Sequence, residues 1–387
     1  DLGVYGQTDI KTPHLDRLAG QGIRFTQAYA NSAVCSATRF ALITGRYQYR
    51  LRGAAEEPIN SKSKGSKVLG LPPEHPTLPS LLKASGYRTA LIGKWHLGYP
   101  PHFSPIKSGY EEFFGPMSGG VDYFTHASNN GTHDLYSNEE EKHEDGYLTD
   151  LISHKAVNFV ERMAPGAAQG TPFFLSLHYT APHWPLQASE EDIATYRGRY
   201  DEGWDVLRER RMQRLRESGL LANAVEECER DPAEPAWDDA EHKAWEARRM
   251  EVYAAQVHRM DQGIGDILAT LEDTGQLENT LVFFMSDNGA CAEVLPLDGS
   301  AEAFKKRRPD LDRLKPRNGR DLQVGNEPAI VPGPEDTYAS YGRAWANLSN
   351  TPFRLYKRWT HEGGIATPLI VHWPAGGLVN GTIVRAP

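Results

Sequence analysis

Residues 88–96, Arg88-Thr89-Ala90-Leu91-Ile92-Gly93-Lys94-Trp95-His96, run from a compact apolar stretch straight into a lysine and a histidine. Arg88 to Ile92 reads as a buried strand. It lacks clean two-residue alternation, as expected when helices cover both faces of a sheet. Phe173 to Leu177, Leu281 to Met285 and Pro368 to Trp373 have the same character. Polar clusters follow three of the four runs: Gly93-Lys94-Trp95-His96, the stretch from His178 to His183, and Ser286-Asp287-Asn288-Gly289. Ligands of open α/β sheets bind beyond the carboxyl ends of the strands. The three clusters are therefore expected to converge on one pocket.

Helical patterns separate these runs, which predicts α/β architecture. Leu15, Leu18 and Ala19 share a helical face from Thr12 to Gly20, with Thr12 as N-cap and Pro13 in the first turn. Leu78 to Ala84 reads as a short helix before Gly86, and Leu148 to Met163 as an amphipathic one. A charged, helical segment at about 190–255 reads as an insertion in one domain spanning 1–387. It breaks around Asp231–Pro235, and a long amphipathic helix resumes from Asp239 to Leu271, with Gly275 as its stop. A surface excursion is expected at about 297–340; it holds the basic run Lys305-Lys306-Arg307-Arg308.

Composition narrows the function classes. The 387 residues are 39% hydrophobic and 24% charged, which fits a folded protein with a large core. No apolar run reaches the 18 residues that would suggest a membrane span. A net charge of −9 argues against a general nucleic-acid binder. It leaves small anions open, because a few local cations dominate a pocket. Cys35, Cys228 and Cys291 form no disulfide framework, and no pair of them has zinc-ligand spacing.

Cys35 opens an apolar stretch ending at Gly45, so a helix is expected to begin near Ser36. A group at a helix N-terminus meets unpaired N–H donors and partial positive charge, and Arg39, one turn on, faces the same side. Residue type alone leaves two readings, an activated cysteine or a structural buried one. Lys94 and His96 reach one pocket if the strand direction persists beyond Gly93. Standing alone they would be a solvated lysine and a hydrogen-bonded histidine. Asp287 and Asn288 offer hard oxygen ligands suited to Ca²⁺ rather than zinc, although a bare Asp-Asn-Gly is commonly a turn. Trp95 is assigned to packing and His178 to a structural role.

Cys35-Ser36-Ala37-Thr38-Arg39 resembles the sulfatase signature Cys-x-Pro/Ala-x-Arg, whose cysteine is converted after synthesis to formylglycine. Gly86-Tyr87-Arg88-Thr89 followed by Gly93-Lys94-Trp95-His96-Leu97-Gly98 is similar to the second sulfatase signature. Thr12-Pro13-His14-Leu15-Asp16, Ser286-Asp287-Asn288-Gly289, and Lys357 followed by Glu362-Gly363-Gly364 resemble further blocks, in family order, from Leu2 to about Pro374.

The resemblance implies an alkaline-phosphatase-like fold, a mixed and mostly parallel sheet between helices. An N-terminal strand and a C-terminal subdomain are expected outside the sequence. It implies hydrolysis of aryl or carbohydrate sulfate monoesters by a formylglycine hydrate at residue 35, releasing sulfate and an alcohol or phenol. Arg39 and a metal would hold that hydrate, and Lys94 and Lys357 would bind sulfate. His96 would be the base of the release step, and His183, in Ala181-Pro182-His183-Trp184-Pro185, the general acid. Ca²⁺ would bind Asp287, Asn288 and an Asp-Asp pair expected ahead of residue 1; Asp1 itself matches a family aspartate that binds no metal. A sulfated small molecule or glycan, a formylglycine-generating maturation enzyme and a periplasmic or secreted location complete the expectation. The alternatives are a phosphodiesterase or phosphonate monoester hydrolase on the same fold, or a non-catalytic anion-binding protein with Cys35 unmodified.

Overall fold

A computed structural model of the chain describes residues 1–51, 59, 63–222, 224–296, 302, 306 and 316–385. Most of the basic run at 305–308, and most of the excursion up to residue 315, lie outside the described residues.

In chain order the strands are β1 (Ile23–Phe25), β2 (Arg88–Gly93), β3 (Glu112–Gly115), β4 (Tyr136–Ser137), β5 (Glu140–Glu141), β6 (Phe173–His178), β7 (Val282–Met285), β8 (Gln323–Val324), β9 (Thr337–Tyr338), β10 (Leu369–His372) and β11 (Thr382–Val384). The helices are α1 (Pro13–Gly20), α2 (Cys35–Thr44), α3 (Leu78–Ala84), α4 (Leu148–Ala167), α5 (Glu190–Ala194), α6 (Gly203–Glu217), α7 (Lys243–Asp273), α8 (Gly342–Ser349) and α9 (Glu362–Ile365). The architecture is the expected mixture of helices and mixed sheets. Its described strands divide between two main sheets, ordered β5-β4-β3-β2-β6 and β11-β1-β10-β7, with β8 and β9 as a separate pair. β2 runs parallel to β3 and β6, whereas β10 is antiparallel to β1 and β7.

β2 shows why the alternation is missing. Ala90 and Ile92 pack into a core with Leu148, Ile152 and Phe159 of α4 and Leu268 and Leu271 of α7. Leu91, pointing the other way, packs with Phe40 and Ile43 of α2 and with Trp95. Full burial of each leucine, isoleucine or phenylalanine among them is worth roughly 1.5–3 kcal/mol. β7 departs from the expectation of strands covered on both faces. Val282 and Phe284 meet the core, while Phe283 and Met285 are 56% and 39% exposed. The run is continuously apolar, so its letters conceal that only one of its faces is covered.

α4 extends past the expected Met163 and through Pro165. Thr12 sits at the N-cap of α1 without capping it; its hydroxyl accepts from Gly3 N and donates to Asp16. Helices α6 and α7 build a second core with α8 around Trp204, Trp237, Met250 and Trp345. Asp1 is held there by Arg211 Nη1 at 2.6 Å and Tyr253 Oη at 2.8 Å. Among the described residues no helix is long and apolar enough to cross a membrane.

Candidate active site

α2 starts at Cys35, after extended Val34, whose carbonyl accepts from Thr38 N, and it ends at Gly45, whose left-handed φ of 63° terminates the turn. This puts Cys35, 3% exposed, at the helix N-terminus and Arg39 one turn later. The Arg39 guanidinium is where three strand ends meet. Nε and Nη2 reach Asp287 Oδ2 at 2.9 and 2.8 Å, just beyond β7. Nη1 donates to the Lys94 carbonyl at 2.9 Å, just beyond β2, and lies 3.1 Å from Nδ1 of His178, the last residue of β6. His178, expected to be structural only, is thus a neighbour of the site. Burial and the Arg39 charge push its imidazole down to about 3.

The strand direction does not persist past β2. Gly93 has φ 111° and His96 φ 61°, so the chain turns, and the turn rather than an extended continuation delivers both side chains. Lys94 Nζ lies 4.0 Å from Asp287 Oδ2, and His96 Nδ1 lies 3.2 Å from Cys35 Sγ. His96 Nε2 donates to the Ile59 carbonyl, which leaves the Nδ1 lone pair facing residue 35. Burial lowers the basicity of His96, against the opposing pull of Cys35. At Cys35, burial opposes ionisation, but Lys94, His96 and Lys357 together pull the thiol well below its ordinary value. Burial likewise favours the neutral carboxyl of Asp287, but Arg39 and Lys94 prevail and hold it below the usual carboxylate range.

A second half of the site rests on loops. His183 Nδ1 donates to the Trp184 carbonyl at 2.8 Å, so its Nε2 accepts from Lys357 Nζ at 3.4 Å. Burial, with the charges of Lys357 and Lys94, pushes His183 down to about 3. Lys357 is 8% exposed; burial opposes its charge, but the neighbouring acidic groups, Glu293 and Asp287 among them, outweigh burial and hold it protonated. Glu293 accepts from Trp184 Nε1 at 2.7 Å and lies 3.9 Å from Lys357 Nζ. Asn350 stitches the loops: its Oδ1 accepts from Ala290 N, and its Nδ2 donates to the carbonyls of Leu355 and Gly363. The Glu362-Gly363-Gly364 block therefore helps seat the Lys357 loop.

Gly119 and Gly120 join the halves. A Cβ on Gly119 would collide with the His96 ring, and one on Gly120 would lie 2.9 Å from His183 Cε1. Asp134 holds the preceding turn through Ser118 N at 2.8 Å and Met117 N at 3.3 Å. None of Gly119, Gly120, Asp134 and Glu293 stood out in the sequence; the Gly-Gly pair was the available signal. Trp95 is 1% exposed and packs edge-on to Tyr110, in keeping with a core role.

Asn288 Oδ1 is buried without a hydrogen-bond partner, beside ionised Asp287. Unpaired oxygen next to a carboxylate suits a hard cation, so this pair fits Ca²⁺. A cavity of about 460 Å³ lies elsewhere, lined by Trp204, Glu234, Trp245 and Asn326 among others, and holds none of the candidate residues. Chemistry rather than volume locates the clustered site.

Comparison with known proteins agrees with this geometry. The chain is 35% identical to an uncharacterised sulfatase of Schizosaccharomyces pombe, over 97% of this chain and 68% of that protein. It is 30% identical to the arylsulfatase of Klebsiella aerogenes, over 97% of this chain and 78% of that enzyme. Among solved structures, Ps i-CgsB in complex with k-i-k-neocarrahexaose matches with a TM-score of 0.67 and 27% identity. That match covers the whole of this chain and 65% of the other, so the sequence spans a little under two thirds of its length. The family model described as Sulfatase matches residues 1–381, and with three strand ends gathered on Arg39 beside Cys35, the chain belongs to the sulfatase family, whose members are sulfuric ester hydrolases.

Proposed function

We propose that the protein hydrolyses sulfate monoesters of aryl or carbohydrate alcohols, with residue 35 in its oxidised, formylglycine form. One observation carries the reading. Cys35, Arg39, Lys94, His96, His183, Asp287 and Lys357 form one buried network whose three cations, Arg39, Lys94 and Lys357, suit an anionic substrate group. The arylsulfatase relative, and the oligosaccharide bound in the 27%-identical structure, support the two substrate classes.

Oxidised residue 35 supplies a carbon with two hydroxyls, one to take the sulfuryl group and one whose deprotonation releases it. Asp287 and Asn288 would hold Ca²⁺, which would supply positive charge for the developing negative charge of the reaction. Arg39 fixes Asp287 and the Lys94 carbonyl in place, so these positions need no reorganisation during reaction. Lys94 and Lys357 neutralise the sulfate oxygens. His96 Nδ1, aimed at residue 35, takes the proton of the release step. On the departing side the proton resides on Lys357 rather than on His183, whose ring is neutral. We therefore assign the donor role to the Lys357–His183 pair, with Lys357 as the source. A maturation enzyme acting on Cys35 and a periplasmic or extracellular setting belong to the same proposal.

The test is turnover of an aryl sulfate against an aryl phosphonate ester, with mass analysis of the peptide spanning residues 24–46. Loss of sulfur at residue 35 and preference for the sulfate support the reading. A strong phosphonate preference, or an unmodified thiol after expression with a competent maturation system, refutes it.

A further inference from the structure

The departing-group side holds a second donor set, different in kind from the oxygens of Asp287 and Asn288. His183, Cys291 and Glu293 place a nitrogen, a sulfur and an oxygen within 4.8 Å of one another. Cys291 Sγ lies 3.2 Å from Glu293 Oε2. A cation already occupies the space between them: Lys357 Nζ is 3.4 Å from His183 Nε2, 3.9 Å from Cys291 Sγ and 3.9 Å from Glu293 Oε2. We propose that His183, Cys291 and Glu293 bind a thiophilic divalent cation of the zinc type, which displaces Lys357 and inhibits hydrolysis. The inhibitory part rests on the function proposed above; the binding site does not.

Three features suit the set to such an ion. His183 donates from Nδ1 to the Trp184 carbonyl, so Nε2 presents its lone pair, and a backbone carbonyl orients the ring as in many metal-ligating histidines. Glu293 is ionised and oriented by the Trp184 indole N–H. Nitrogen, thiolate and carboxylate together select zinc over calcium, whereas the Asp287–Asn288 oxygens select the reverse. Donors around a tetrahedral zinc ion lie about 3.3–3.8 Å apart; Cys291 and Glu293 already stand at 3.2 Å, so only His183 has to approach the pair, by up to about an ångström. On binding, the Cys291 S–H bond breaks, its proton leaves to solvent and a sulfur–metal bond forms. Lys357 departs still protonated, and no electrons are transferred.

The experiment titrates hydrolysis of an aryl sulfate by the intact protein, in the presence of Ca²⁺, with Zn²⁺. Co²⁺ serves as a spectroscopic probe in a separate titration. Zinc is expected to inhibit, a zinc chelator to restore activity, and Cys291→Ala to need about tenfold more zinc for half inhibition. Cobalt is expected to give sulfur-to-metal charge-transfer absorption in the parent and in Cys35→Ala, and none in Cys291→Ala. Cys291→Ser repeats the comparison should the alanine variant misfold. Equal zinc sensitivity with and without Cys291, or absorption that survives its removal, overturns the site. Absorption without any hydrolysis would keep the ion site and remove the hydrolase reading; hydrolysis without absorption would do the opposite.

Discussion

The two halves of the site are built differently. Around Arg39, contacts of 2.8–3.1 Å tie together α2 and the ends of β2, β6 and β7, all regular elements with buried neighbours. Around Lys357, contacts of 3.4–3.9 Å join loops that follow β6, β7 and α8. On the function proposed, the half that would meet the sulfate, the same in every substrate, is clamped. The half that would meet the alcohol, which differs among substrates, is carried on loops and holds Lys357 through longer contacts. Rigid elements hold invariant geometry more accurately than loops do, and loops tolerate the changes that set specificity.

That contrast can be broken by mutation. Arg39→Ala removes the clasp and leaves Asp287 without its guanidinium partner. It is expected to lower kcat about 10³-fold for every substrate, and to cost about 3 kcal/mol in denaturant unfolding. Retention of activity within tenfold would mean that the strand ends are held by something else. Lys357→Ala is expected to lose about 10²-fold on an alkyl or carbohydrate sulfate and far less on nitrophenyl sulfate, whose leaving group needs no proton. An equal loss on both substrates would leave Lys357 with sulfate binding alone and remove its donor role. Glu293→Gln is expected to lower kcat about tenfold, with partial recovery in Glu293→Asp, read from kcat and KM separately.

The smallest effect concerns the turn beneath both histidines. Burial raises Asp134 to about 7, against the hydrogen bonds from Ser118 and Met117. Its unfolded value is about 4. Between those two values the folded state binds the extra proton, so this group's contribution to stability falls as pH rises from about 4 to about 7. Asp134→Asn is expected to flatten that dependence by about 1–3 kcal/mol in unfolding titrations at pH 4.5 and 7. An unchanged slope would show that Asp134 stays ionised throughout that range.

Much of this was legible in the letters. The starts of β2 and β6, the whole of α3, and the origin of α2 near residue 35 follow from runs and stops of a few residues. Those signals act over a few residues, so local sequence carries them. The polar clusters beyond the strands identified most of the candidate residues for a related reason, because a strand's end is where its chain leaves the sheet. Glu293 and Cys291 were missed because a carboxylate and a thiol two residues apart carry no signal until Trp184 and Lys357 come alongside.

Residue types, their spacing and the helix and strand signals are properties of neighbouring letters, and the sequence by itself determined them: the α/β alternation, the family blocks and the roll of candidate side chains. Only the tertiary structure decided which of them touch. Arg39 meets groups 55, 139 and 248 residues away, and Lys357 meets one 174 residues away. Such distant pairings come from how whole elements pack around the hydrophobic clusters, a cooperative outcome that no local stretch contains.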